Sequence, residues 1–235
     1  MKKTTTKAIL AVLVVFVPII LIGVGNDWFG PKEERIVALG DSLTYGIGDD
    51  SGQGYVENLK QWFETNGEDV KVDNYGIPDQ QTDGMLTQMN DPEVLKSLQK
   101  ADYILLFIGT NDLIESNGGD LSEINKEAIA AGKKDYVKNL KSILKTVRGS
   151  NGDAPILFLG LYNPYPNNGK IDEIIKEWNS TSKGLIDSYT GITFVETNDL
   201  FEEKTTRIFS DELHLNEKGY ERLTKRIIQA YDFDE

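Results

Sequence analysis

Tyr103-Ile-Leu-Leu-Phe-Ile108 is an unbroken apolar run of strand length. A strand that is apolar on both faces must be covered on both faces. That places it inside a parallel sheet between layers of helices. Four more stretches read as strands: Arg35–Leu39, Val70–Tyr75, Ile156–Leu161 and Ile192–Val195. Between them the apolar residues change to helical spacing. Tyr55, Leu59, Trp62 and Phe63 mark a helix stopped by Asn66-Gly67. Thr82 precedes a helix over Met85, Leu86 and Met89, and Asp91-Pro92 opens another with proline at its first position. Tyr136, Leu140, Ile143, Leu144 and Val147 lie on one face of a long helix. Ile171, Ile174, Ile175, Trp178, Leu185, Ile186 and Tyr189 face inward on the next, and Tyr220, Leu223, Ile227 and Tyr231 build the last. Segment 114–134 is polar and interrupted by Gly118-Gly119 and Gly132, so a loop with a short helix over the strand ends is expected there. The fold class is therefore α/β: a three-layer α/β/α sandwich around a five-stranded parallel sheet, flavodoxin-like in topology.

The beginning of the chain is of a different kind. Residues 8–24 are uncharged and almost wholly apolar, with Lys2, Lys3 and Lys7 before them and Asp27 after. The lysines favour the cytoplasmic side, which sends the rest of the chain across the membrane. The run is slightly short of the roughly 20 residues of a comfortable span and long for a cleaved signal core. Residues 1–25 are read as an uncleaved membrane anchor, with a cleaved signal and a secreted product as the alternative. Residues 26–34 read as a linker and 35–235 as the globular domain.

Composition excludes several classes. The chain has no cysteine and one histidine, so disulfides, thiolate–zinc sites and multi-histidine metal sites are ruled out. No EF-hand spacing appears, and neither a cofactor nor a metal is expected. A net charge of −13 argues against a nucleic-acid partner.

Polar motifs fall after the first, second and third strands and before the last helix. All four therefore meet at the C-terminal edge of the sheet, where ligands gather in open α/β folds. After the first strand stands Gly40-Asp41-Ser42-Leu43, after the third Gly109-Thr110-Asn111-Asp112, and before the last helix Asp211-Glu212-Leu213-His214. These blocks, in this order, resemble those of the SGNH/GDSL hydrolase superfamily, and most of all its membrane-anchored bacterial branch called YpmR-like. The resemblance runs from about Arg35 to the C-terminus. It implies an SGNH hydrolase fold and a serine esterase or acylhydrolase acting through a covalent acyl-enzyme. Its ester substrate would be a lipid, a lysophospholipid or an O-acylated glycan.

In that reading Ser42 is the nucleophile and His214 the base that takes its proton. An imidazole ordinarily titrates at about 6.5, which suits neutral operation. Asp211 orients the ring. The oxyanion hole would use the Ser42 N–H, the Asn111 amide and a backbone N–H in the loop after the second strand. Where relatives carry glycine in that loop this chain has Asp79, whose N–H can still serve; Gly76 is the alternative donor. Asp41 and Asp112 are read as loop braces and Trp178 as core, while Tyr162 is open between core and acyl-pocket lining. The alternative from another functional class is a non-catalytic surface module that keeps this fold and binds a glycan or a protein.

Overall fold

The computed structural model describes residues 33–165, 167–201 and 207–233. The N-terminal stretch read as an anchor, and all of the linker before residue 33, lie outside them. Among the described residues no helix is long and apolar enough to cross a membrane.

Five strands form one wholly parallel sheet: β1 (Glu34–Gly40), β2 (Val70–Gly76), β3 (Tyr103–Phe107), β4 (Ile156–Leu159) and β5 (Ile192–Val195), in the order β2-β1-β3-β4-β5. The helices are α1 (Ser42–Tyr45), α2 (Gly54–Thr65), α3 (Thr82–Gln88), α4 (Pro92–Gln99), α5 (Thr110–Ser116), α6 (Lys126–Ser150), α7 (Gly169–Ile186) and α8 (Glu217–Ala230). A 3-10 turn at Asn198–Phe201 follows β5.

The strand order decides which helix covers which face. The step from β1 to β2 runs one way along the sheet, and every later step runs the other way. Right-handed crossovers then put α2 on one face and the helices between β2 and β5 on the opposite face. The contacts agree: α2 packs with α8, while α6 touches α3, α4, α5 and α7. The inner strands are apolar throughout because helices cover both their faces. Ile36–Leu39, Ile104–Phe107 and Ile156–Leu159 are buried. The edge strand β2 is only partly covered, with Val70 its one buried residue.

Caps set the helix starts. Asp91 accepts the N–H of Glu93 and Asn125 that of Ala128, each satisfying a donor that the first turn leaves orphaned. Thr82 is the first residue of α3 rather than its cap, and its side chain turns to Asp112.

Segment 114–134 corrects the sequence reading. The 25-residue α6 starts at Lys126 and passes through Gly132 without a break. Gly118 and Gly119, both at positive φ, do end α5. Gly132 is a packing glycine: a Cβ there would lie 2.2 Å from Cβ of Ser116, where α5 crosses α6. Glycine reads alike as a breaker or as a contact until the partner helix is known.

Gly76 is a second such contact. A Cβ on it would stand 2.3 Å from the Tyr45 nitrogen, so β2 runs directly against the backbone of α1. Gly76→Ala is expected to destabilise the fold by about 1–3 kcal/mol, the usual cost of overpacking, measured by denaturant unfolding. An unchanged midpoint would show that α1 moves aside freely.

Candidate active site

Ser42 opens α1, directly after β1 ends at Gly40. Asp41 is the N-cap, with Oδ1 accepting the Leu43 N–H at 2.9 Å. Thr44 anchors the turn twice: its hydroxyl pairs with that of Tyr55 at 2.9 Å, and its carbonyl accepts from Asn74 Nδ2 at 2.8 Å. The turn that carries Ser42 is thus held from α2 and from β2.

His214 arrives from the loop before α8. Its Nε2 lies 2.9 Å from Ser42 Oγ, and its Nδ1 lies 2.7 Å from Asp211 Oδ2. An ionised carboxylate only accepts, so Nδ1 carries the proton and Nε2 is left to accept from the serine hydroxyl. Asp211 Oδ1 accepts the N–H groups of Leu213 (2.8 Å) and His214 (2.6 Å). Burial tends to raise the Asp211 carboxyl, but the His214 N–H, the imidazole and the Leu213 N–H together hold it below the usual 3.8. Asp211 therefore stays ionised wherever the site would operate.

The three loops after β1, β2 and β3 are knitted together here. Asn111 Nδ2 donates to the Gln80 carbonyl at 3.1 Å. Gln80 Nε2 reaches the Gly40 carbonyl at 3.3 Å. Asp112 accepts the Thr82 N–H at 3.0 Å and also its hydroxyl, which ties α5 to the start of α3. Asp41 and Asp112 therefore brace loops. Tyr162 is core, with its ring against Phe201 and Phe209 and its hydroxyl donating to the Leu213 carbonyl at 2.6 Å. Trp178 is fully buried against Tyr136.

The two candidate donors in the loop after β2 separate clearly. Gly76, the alternative, is corrected: its N–H is committed to Asn74 Oδ1 at 2.9 Å. Asp79 sits at φ 59°, the left-handed region that glycine visits freely and aspartate tolerates. The chain thus keeps the backbone shape of a glycine without having one. Among the described residues the N–H groups of Ser42 and Asp79 meet no protein acceptor. A cleft of about 600 Å³ lined by Leu121, Tyr165, Ile171 and Glu212 borders the histidine loop.

Sequence alone does not single out Gln80, and it leaves Tyr162 between core and acyl-pocket lining without marking it as a support of the histidine loop. A polar residue in an irregular loop has no periodicity to announce it, and the partner of a tyrosine hydroxyl is a matter of tertiary contact.

Residues 38–222 match the family described as GDSL-like Lipase/Acylhydrolase. The chain belongs to this family. Membership makes it a serine ester hydrolase of the GDSL type. This GDSL hydrolase is 30% identical over 204 residues to the uncharacterised protein YpmR of Bacillus subtilis (strain 168), covering 83% of the chain and 80% of the relative. It is 27% identical over 203 residues to the spore germination lipase LipC of Bacillus licheniformis, covering 83% and 95%. Among solved structures, the lipase Lip_vut3 from a goat rumen metagenome superposes with a TM-score of 0.75 at 26% identity, covering 84% of this chain and 97% of that one. Axe2, an acetylxylan esterase of Geobacillus stearothermophilus, has a TM-score of 0.68 at 19% identity, covering 86% and 95%, and shares the fold.

One carboxyl at the site has a clear pH signature. Asp41 is 1% exposed, and its Oδ2 has no hydrogen-bond partner among the described residues. Burial, opposed by the Leu43 N–H and reinforced by the charges of Asp112 and Asp79, pushes its carboxyl up to about 7. Below pH 3.8 the folded and unfolded chains both hold this proton. Between 3.8 and about 7 the unfolded chain gives it up and the folded chain keeps it, so stability falls as pH rises and then levels off. The displacement corresponds to about 4 kcal/mol. Asp41→Asn keeps the cap and removes the titration. Relative to wild type it should gain up to about 4 kcal/mol from pH 4 to 7 in denaturant unfolding; a difference independent of pH would reject the buried-acid assignment.

Proposed function

We propose that this GDSL hydrolase is an extracytoplasmic serine acylhydrolase that works through Ser42, His214 and Asp211 and a covalent acyl-enzyme. The observation that carries the reading is the continuous relay Ser42 Oγ–His214 Nε2, His214 Nδ1–Asp211 Oδ2, at 2.9 and 2.7 Å. Ser42 Oγ attacks the ester carbonyl carbon as His214 Nε2 takes its proton. The carbonyl oxygen becomes an oxyanion facing the N–H groups of Ser42 and Asp79 and the second amide hydrogen of Asn111. The intermediate collapses, the bond to the alcohol oxygen breaks, and His214 returns the proton to the departing alcohol. A water then attacks the acyl-serine, with His214 again as base, releasing the acid and restoring Ser42. Asp211 remains a carboxylate and stabilises the imidazolium at each step.

The location outside the cytoplasm is supported by the apolar residues 8–24 behind three lysines. The substrate is a carboxylic ester of a lipid, a lysophospholipid or an O-acylated glycan, and the likeness to LipC, whose name is that of a lipase, leans toward a lipid ester. The binding-module alternative drew its support from Asp79, and that support weakens once Asp79 is seen to hold the backbone conformation of a glycine.

Turnover of p-nitrophenyl esters of graded chain length tests the reading. Ser42→Ala and His214→Ala should each abolish serine-dependent turnover while the far-UV spectrum is unchanged. Near-wild-type activity in either would refute the assignment. Asn111→Ala should lower kcat about 100- to 1000-fold, the usual loss of one oxyanion donor. Asp79→Gly keeps the donor, relieves the left-handed strain and removes a carboxylate from beside the developing charge. It should raise kcat a few-fold and stabilise the fold by about 1 kcal/mol; a lower kcat would take Asp79 out of the hole.

A further inference from the structure

Within the loop that carries His214 several contacts are local. Ser210 N–H donates to the His214 carbonyl at 3.0 Å, Phe209 and Leu215 form a short antiparallel bridge, and Asp211 Oδ1 holds two N–H groups two and three residues ahead. Local bonds fix the shape of a loop but not its place over the sheet. The Tyr162 hydroxyl comes from the other side, in the segment after β4. Tyr162 is 4% exposed, its ring is wedged against Phe201 and Phe209, and its O–H donates to the Leu213 carbonyl at 2.6 Å. Burial, with further contributions from Tyr220, Asp41 and Asp211, pushes its phenol well above the usual range, so it remains a donor. Nearby Tyr165 reaches Glu212 at only 3.4 Å and in an exposed setting, a far weaker hold.

The Leu213 carbonyl and the His214 N–H belong to a single planar peptide group. Tyr162 holds the oxygen of that plane and Asp211 Oδ1 holds its N–H at 2.6 Å. Clamped at both ends, the plane has no freedom to rock. The direction in which His214 leaves the backbone follows from it.

We propose that Tyr162 is a positioning residue for ester hydrolysis, setting the imidazole of His214 at bonding distance from Ser42 by clamping the 213–214 peptide. The proposal rests on the triad reading above. It adds a residue that touches neither substrate nor the reacting atoms.

Tyr162→Phe keeps the ring packing and deletes the clamp. Tyr103→Phe is the control: its hydroxyl also donates to a buried backbone carbonyl, that of Phe233 at 3.1 Å, and meets Glu34, but at the start of β3 on the opposite edge of the sheet. Both variants, in the full chain, should stay folded and lose some stability. Tyr162→Phe should lower kcat roughly tenfold with KM within about twofold, because small misplacements of a catalytic group are costly. Tyr103→Phe should leave both constants near wild type. His214 is the chain's only histidine, so its Nδ1–H proton resonance needs no assignment. It should broaden or shift upfield in Tyr162→Phe and stay in place in Tyr103→Phe. Equal kinetics and equal spectra for the two variants would overturn the proposal. If the wild type turns over none of the esters, the proposed function fails, and the histidine resonance then decides the positioning role by itself.

Discussion

The pairing of β1 with β2 on one side and β3 on the other is the constraint from which the site follows. Gly40 stands level with Gly76 in β2 and with Phe107 in β3. Three chain segments therefore leave the sheet at one height and side by side. At that point the strand order reverses, and the crossovers depart to opposite faces. A crevice opens between them because no helix can cover it. Ser42 and Asn111 flank it from β1 and β3, and the Asp79 loop closes it from β2.

Leaving a sheet exposes backbone groups that need partners. Here the partners come from the neighbouring loops. The Gly40 carbonyl accepts from Ile77 N–H at 3.1 Å and from Gln80 Nε2 at 3.3 Å, and the Gln80 carbonyl accepts from Asn111. The same bonds that satisfy the strand ends hold the segments carrying Ser42, Asp79 and Asn111 side by side. Asn111, the oxyanion donor of the proposed mechanism, uses one amide hydrogen to join two loops.

Asp211 shows the same economy on the histidine side. One oxygen shapes the loop through two backbone N–H groups, and the other orients the imidazole. Its side chain is 52% exposed, so solvent screens much of the charge attraction to the ring. Geometry, more than Coulomb energy, is what Asp211 supplies. A second carboxyl, Asp41, caps α1 next to Ser42 and avoids placing a charge there by staying protonated through most of the acid range. Asp79, by contrast, is exposed to water.

Local physics was legible in the sequence. Continuous apolar runs marked the inner strands because both faces are covered, helical spacing marked the amphipathic helices, and the order of elements implied a parallel sheet. Ser42, Asn111, Asp211 and His214 could be singled out because each lies in a short block at a strand end or before a helix. Gly132 was misread as a break, since a glycine that admits a neighbouring helix looks no different along the chain from one that ends its own. The sequence by itself determined the strands, the helices, their alternation and the chemical types at the sheet edge. Only the tertiary structure decided that Gly76 spends its N–H on Asn74, that Asp79 takes the left-handed backbone of a glycine, and that Tyr162 clamps the peptide before His214. Those are contacts between segments far apart in the chain or shapes imposed by them, and no local pattern encodes the partner.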